Sequence, residues 1–194
     1  MVNADSKLTY PEVFSNGTHE VYLEGEAFFD VASNPGKPFI IHLTKGNVKV
    51  LGTSFNIRAY SNEPIQTSVK TGKVAFIPAW DGTGKVPDTI YITPDEKVTY
   101  ERTGGNIKKE VTSAEDDQAW TEGRLVFRDM TLEDISLELE RTFGKKVSFT
   151  EDAPRFYRLT GNFQNNNLQE IMYYLARSKA FHYDLTDTTL VISQ

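Results

Sequence analysis

Six apolar positions in the last third of the chain recur after a shift of 36 residues. The six pairs are Phe127/Phe163, Leu132/Leu168, Ile135/Ile171, Leu139/Leu175, Val147/Tyr183 and Phe149/Leu185. Each copy has a short apolar strand pattern, then apolar residues at helical spacing, then a second strand pattern. A single unit of this kind cannot bury its own apolar face. The repeat therefore predicts two strand–helix–strand units that share one core.

The two helices of this repeat have clear ends. Thr131, with Asp134 three residues later, forms a near capping box, and Gly144 is a typical helix terminator. Asn167 stands in the equivalent place before the second helix. With a terminal hairpin that ends in the strand Thr189–Ser193, the predicted order is β-α-β-β-α-β-β.

The earlier part of the chain has a different pattern. Residues 1–115 hold 10 of the 13 glycines and 7 of the 8 prolines, and Val21–Val31 alternates in polarity. The alternation changes phase within Val48–Tyr60, which predicts a β-bulge at Gly52. The predicted fold class is α+β in two domains. Short antiparallel strands form a sandwich-like or roll-like domain over 1–115, and an α/β domain covers 118–194.

Composition excludes several classes of function. The chain has 21 basic and 27 acidic residues, a net charge of −6, which weighs against nucleic-acid binding. Cysteine is absent, so disulfides, thiolate metal sites and cysteine nucleophiles are excluded. The three histidines, His19, His42 and His182, lie far apart in sequence, and we expect neither a metal nor a cofactor.

Three carboxylates, Glu24, Glu26 and Asp30, fall on one face of the strand Val21–Val31. Such a group could bind a cation or serve as acid and base. The alternation favours a simpler explanation, in which they form the hydrated face of a half-exposed strand. We therefore predict no enzymatic activity.

Four stretches resemble the FecR family of anti-sigma factors. They are VYLEGEAFFDV (Val21–Val31), KPF (Lys37–Phe39), VKVLGTSFNI (Val48–Ile57) and WTEGRLVFR (Trp120–Arg128). The second part resembles the C-terminal domain of Bacteroidetes FecR-like proteins. In element order it is similar to the secretin and TonB short N-terminal fold.

The resemblance implies the periplasmic sensor part of a single-pass inner-membrane anti-sigma factor. Such a protein takes a signal from the N-terminal signalling domain of an outer-membrane TonB-dependent transporter and passes it to an extracytoplasmic-function sigma factor, regulating iron or glycan uptake. The sigma factor would bind a cytoplasmic segment absent from this sequence, whose β-domain is predicted to be truncated at its start. The alternative is a periplasmic carbohydrate-binding or cupin-like β-domain; a cupin-like site would require clustered His and Glu, which the sequence lacks, and carbohydrate binding would require an aromatic platform.

Two sets of candidate site residues follow. The resemblance implies that the Gly52–Thr53 bond is a candidate for self-cleavage, with a plain bulge as the structural alternative. For partner binding we predict an exposed edge strand. The candidate residues are Thr189, Leu190, Val191 and Ile192 in one strand and Leu125 and Phe127 in another.

Overall fold

The computed structural model describes residues 1–14, 17–80, 82, 87–101 and 104–194. The chain forms two compact units, Met1–Thr121 and Glu122–Gln194. The division falls later than the predicted boundary, because the segment around residues 114–121 packs with the first unit. Ala114 and Ala119 in that segment are buried.

The first unit consists of strands joined by short connections. Its described strands are β1 (Lys7–Thr9), β2 (His19–Val31), β3 (Phe39–Leu43), β4 (Gly46–Val50), β5 (Thr53–Ala59), β6 (Ile65–Thr71), β7 (Val74–Pro78), β8 (Ile90–Ile92), β9 (Glu96–Tyr100) and β10 (Ile107–Val111). One helical turn, α1 (Ala114–Asp117), and a 3-10 turn, Ala119–Glu122, follow. The mostly-β character predicted from alternation is confirmed.

These strands form one curled sheet. They pair in the order β10-β9-β6-β5-β2-β3-β4-β7-β8, and β1 pairs with β2. Lys109 on β10 donates from Nζ to the carbonyl oxygen of Tyr91 on β8, at 2.9 Å, so the two ends of this order meet. Because alternate side chains point inward, the curled sheet encloses an apolar core. Its fully buried members include Ile41, Phe55, Ile57, Val69 and Phe76.

Strand β2 is central to the sheet of the first unit because it pairs with three other strands. His19–Tyr22 runs parallel to β3, Gly25–Val31 runs antiparallel to β5, and β1 pairs between Tyr22 and Glu24. Gly25 has φ of 93°, and a Cβ there would lie 2.3 Å from Ser6 Oγ. Only glycine fits where the N-terminal segment approaches β2 this closely.

The predicted bulge at Gly52 is wrong. Val48–Tyr60 contains two strands, β4 and β5, which pair with different neighbours. The change in phase arises because the chain turns between them; the nearby register irregularity falls at Ser54/Phe55. A Cβ on Gly52 would lie 2.4 Å from Ser33 Cα, so this turn requires glycine for close packing.

The second unit has the predicted order of elements. They are β11 (Arg124–Thr131), α2 (Leu132–Phe143), β12 (Lys146–Phe149), a 3-10 turn (Ala153–Phe156), β13 (Arg158–Gln164), α3 (Leu168–Ser178), β14 (His182–Leu185) and β15 (Thr189–Ser193). Strands β11 and β13 form a two-stranded antiparallel sheet, and β12, β15 and β14 form a three-stranded sheet.

The predicted helix ends are confirmed. Thr131 Oγ1 accepts from the backbone N–H of Asp134 at 3.1 Å, and Gly144 adopts a left-handed conformation with φ of 67°. At the start of α3, Asn167 Oδ1 accepts from Glu170 N at 2.9 Å, and Glu170 Oε2 accepts from Asn167 N at 3.2 Å. These bonds satisfy backbone donors that the first helical turn leaves free.

Residues 36 apart occupy matching places in this unit. All six apolar pairs belong to one core, and Ile135 and Ile171 are both 0% exposed. Asp129 and Asn165, which also differ by 36, both have positive φ, 49° and 55°. In the ladder between β11 and β13, Val126 faces Asn162, its own equivalent. The two strand–helix–strand units are thus related by a local twofold passing through that pair.

Candidate functional site

The last strand does not offer the edge that the sequence analysis assigned to it. Strand β15 pairs with β12 on one side and β14 on the other, so it is the central strand of its sheet. The backbone groups of Thr189–Ser193 are therefore engaged in ladders on both sides. The side chains of Leu190 and Ile192 are 0% exposed. The prediction that Thr189–Ser193 is an edge strand is wrong.

Strand β11 has an open edge in the described residues, where β13 is its one partner strand. Phe127 is 1% exposed and Leu125 packs against the same core. The side chains of Phe127 and Leu125 thus pack into the interior of the second unit. The contact with a partner strand would come from the backbone and from the residues between them.

The backbone directions along β11 follow from one hydrogen bond. Asn165 N donates to Gly123 O at 3.1 Å, which makes that pair a hydrogen-bonded one. Because such pairs alternate in antiparallel ladders, the N–H and C=O groups of Leu125 and Phe127 face β13. Those of Val126, between them, face the open edge. The sequence-based prediction named Leu125 and Phe127, whose backbone groups already pair with β13.

The Gly52–Thr53 bond lies in the packed turn between β4 and β5. Thr53 is 3% exposed, and its hydroxyl donates from Oγ1 to the carbonyl oxygen of Lys73 at 3.1 Å. Self-cleavage would require this oxygen to attack the Gly52 carbonyl carbon after losing its proton to a base. A backbone carbonyl is a poor proton acceptor, so the observed bond anchors the turn instead of activating Thr53.

We therefore expect the chain to stay intact at Gly52–Thr53. Intact-mass spectrometry of protein aged for weeks should give one species near 21.9 kDa. Thr53→Ala, which removes the hydroxyl, serves as the uncleavable control. A fragment that begins at Thr53 in the parent protein, and is absent from the control, would contradict this prediction.

His19 and His42 lie on the neighbouring strands β2 and β3 of the first unit, and His182 lies on β14 of the second. His42 is on β3, with Nε2 2.9 Å from Glu20 Oε2 and Nδ1 2.9 Å from Asn47 Oδ1. The hydrogen bonds from His42 and then Thr18 hold the pKa of Glu20 below its usual value. His19 packs against the ring of Phe14. Among the described residues, no cluster of three metal-ligating side chains is present.

The three carboxylates of β2 do not share one environment. Glu24 and Asp30 are exposed, but Glu26 is 4% exposed and accepts hydrogen bonds from two asparagine side chains. The prediction that Glu26 belongs to a hydrated face is wrong, because Asn3 of the N-terminal segment and Asn56 of β5 cover it on the outer face of β2. Glu26 is the buried charged group on this strand that sequence reasoning missed.

Most aromatic side chains of the first unit serve the core. Phe29, Phe55, Tyr60, Phe76 and Tyr100 are each less than 10% exposed. The exposed rings in the described part of this unit are those of Tyr10, Tyr22, Trp80 and Tyr91. Tyr22 on β2 stacks on His42, and the ammonium group of Lys73 lies 4.1 Å from the ring centroid of Tyr91 on β8. Because β2 and β8 are not neighbouring strands, Tyr22 and Tyr91 do not form one flat carbohydrate-binding platform.

No helix in the described part of the chain is both long enough and apolar enough to cross a membrane.

Two family profiles match the chain. The profile described as "FecR protein" matches residues 1–75, and that described as "FecR, C-terminal" matches residues 124–192. The comparison with curated proteins found no match.

Two crystal structures, each of a protein assigned as an anti-sigma factor from Parabacteroides distasonis ATCC 8503, are similar to this chain. The first has 30% sequence identity and a TM-score of 0.88, and the match covers 98% of this chain and 87% of the other. The second has 29% identity and a TM-score of 0.88, with 100% and 88% covered. The chain therefore belongs to the FecR family of anti-sigma factors.

Proposed function

We propose that this chain is the periplasmic sensor region of a transmembrane anti-sigma factor. It would take a signal from the N-terminal signalling domain of an outer-membrane TonB-dependent transporter. The signal would pass to an extracytoplasmic-function sigma factor held by a cytoplasmic segment. The match of both FecR profiles to one chain carries this proposal. The role is regulatory and requires no catalytic group.

We further propose that the second unit has the secretin and TonB short N-terminal fold and binds the transporter domain. Its two strand–helix–strand repeats and added strand β15 support the likeness. The binding element would be the open edge of β11, because unpaired backbone groups accept a partner strand without a preformed pocket. The ladder available to a partner ends at Asp129, whose φ of 49° breaks the extended strand.

The charge balance of the second unit favours a basic partner patch. Residues 122–194 contain 11 acidic and 9 basic side chains. Complementary charges at the rim of an interface mainly raise the association rate. We therefore expect the association rate to fall as salt increases, while the dissociation rate changes less.

The test is calorimetry of the full chain with the cognate transporter signalling domain. Val126→Pro removes an N–H that faces the open edge, so it should weaken binding about tenfold, the effect of one interfacial hydrogen bond and the displaced strand. Val126→Ala keeps the N–H and should bind within about twofold.

The possible outcomes distinguish an error in the proposed binding surface from an error in the proposed function. Equal binding by Val126→Pro and the parent chain would reject the β11 edge while leaving the partner correct. Absence of binding by the parent chain, together with micromolar affinity in a glycan screen, would instead favour the carbohydrate-binding alternative.

A further inference from the structure

A buried carboxylate in the first unit joins two distant parts of the chain. Glu26 on β2 is 4% exposed, and a buried carboxyl group requires hydrogen-bond partners. Asn3 donates from Nδ2 to Glu26 Oε2, and Asn56 donates from Nδ2 to Glu26 Oε1, both at 2.8 Å. Asn56 on β5 is itself 6% exposed.

The bond to Asn56 continues to a tryptophan. The indole Nε1 of Trp120 donates to Asn56 Oδ1 at 3.1 Å. A carboxylate only accepts hydrogen bonds and an indole N–H only donates them, so the chemistry fixes which way the Asn56 amide points. Asn56 is therefore an intermediary whose two ends have opposite hydrogen-bonding roles. Bonds arranged in such a chain polarise and strengthen one another.

One end of this chain of bonds holds the N-terminal segment, Met1–Thr9. Besides the side-chain bond, Asn3 N donates to the carbonyl oxygen of Glu26 at 2.9 Å. Glu26 N donates to Ser6 Oγ at 2.8 Å. Three hydrogen bonds thus fix this segment to one residue of β2, just before β1 begins to pair at Lys7.

The other end holds the segment that leads into the second unit, Ser113–Thr121, which we call the connector. Asp117 of the connector lies 3.2 Å from Lys97 Nζ and accepts a bond from Thr112 Oγ1 at 2.9 Å. Gln118 is 7% exposed, and its Oε1 has no partner among the described residues. The connector is thus docked by its buried residues Ala114 and Ala119 and by polar contacts, of which the Trp120–Asn56 bond reaches Glu26.

We propose that Glu26 and Asn56 couple the docking of the N-terminal segment to that of the connector. When Asn3 leaves, Glu26 loses a donor at Oε2, and the carboxyl group is free to turn relative to Asn56. The Asn56 side-chain amide is then no longer held in the one position where its Oδ1 accepts the hydrogen bond from Trp120. Displacement of the N-terminal segment thus loosens the connector, and displacement of the connector loosens the N-terminal segment. The coupling lies wholly within the first unit and does not depend on the proposed partner.

The test measures hydrogen exchange by mass spectrometry on the full chain. Asn3→Ala should accelerate exchange about fivefold or more in the peptide covering 113–121, the lower range of measured couplings between sites. Asn47→Ala is the matched control, because it removes a side-chain amide from another hydrogen bond in the same unit. It should leave that peptide unchanged. The peptide covering β3 and β4 reports any general loss of stability.

The reciprocal variant is Trp120→Phe, which keeps an aromatic ring and removes the N–H donor. It should accelerate exchange at Asn3 N and at Phe28 N, which donates to Met1 O. Coupling is reciprocal, so Trp120→Phe must loosen the N-terminal segment if Asn3→Ala loosens the connector. Unchanged exchange in 113–121 after Asn3→Ala would overturn the proposal. Equal acceleration by Asn3→Ala and Asn47→Ala would also overturn it, because it would indicate general loosening.

Discussion

Replacing Ile171 with alanine should lower the free energy of unfolding of the second unit by about 2–5 kcal/mol, and Ile135→Ala should do the same. Both side chains are 0% exposed and occupy matching places on α3 and α2. Alanine removes buried methyl groups and leaves a cavity that the packed surroundings fill only in part. Similar losses at the two sites would reflect their equivalence in the repeat.

Two spectroscopic probes separate the units. Helices α2 and α3, the longest in the described chain, lie in the second unit and dominate the ellipticity at 222 nm. Both tryptophans, Trp80 and Trp120, lie in the first unit. Urea unfolding followed by the ellipticity at 222 nm should therefore show the loss of stability of the second unit. Tryptophan fluorescence, which reports on the first unit, gives the comparison. Leu137→Ala, at a 39% exposed position of α2, is the matched control and should cost about 1 kcal/mol or less. A loss as large as that of Ile135→Ala would contradict the shared core.

The features that were predicted correctly are those set by neighbouring residues. Helix ends are local because Thr131 and Asn167 bond to residues three positions later. The apolar faces of α2 and α3 follow from helical spacing alone. The order of elements in the second unit was therefore predictable from sequence, whereas in the first unit Val48–Tyr60, which the alternation indicates as one strand, divides into β4 and β5.

The order of strands within a sheet is not local, and the prediction for β15 was wrong for that reason. Alternation in Thr189–Ser193 is the same in an edge strand and in a central one. The charged residues of the three strands could have distinguished an edge strand from a central one, because edge strands tend to carry charged side chains. Strands β12 and β14 contain Lys146 and Asp184, whereas β15 has no charged residue. Comparing the three strands would have indicated the correct centre.

The buried chain of bonds could not be predicted from sequence. Asn3, Glu26, Asn56 and Trp120 are far apart along the chain and belong to no spaced motif. A glutamate in an alternating strand is ordinarily solvated, and its burial here depends on donors supplied by two other segments. The direction of the Val126 backbone N–H and C=O groups could not be predicted either, because it depends on the register with β13.

Val191→Pro should destabilise the second unit by about 3 kcal/mol or more, as expected for proline inside regular structure. Val191 is in the middle of β15, where the strand is paired on both sides, so its N–H belongs to a ladder. Proline removes that donor and places its ring where a neighbouring strand must approach. Val191→Ala keeps the backbone intact at a half-buried position and should cost about 1 kcal/mol or less.

The same substitution at Val126 gives the sharper comparison. The N–H of Val126 faces the open edge of β11, and proline is tolerated in edge strands at such positions. Val126→Pro should therefore lower the free energy of unfolding by about 1 kcal/mol, measured by urea unfolding at 222 nm. The two Val→Pro variants share side-chain chemistry and differ in whether the lost N–H was paired. Equal losses would contradict the assignment of β15 as central and β11 as open, because strand position would then not decide the effect of proline.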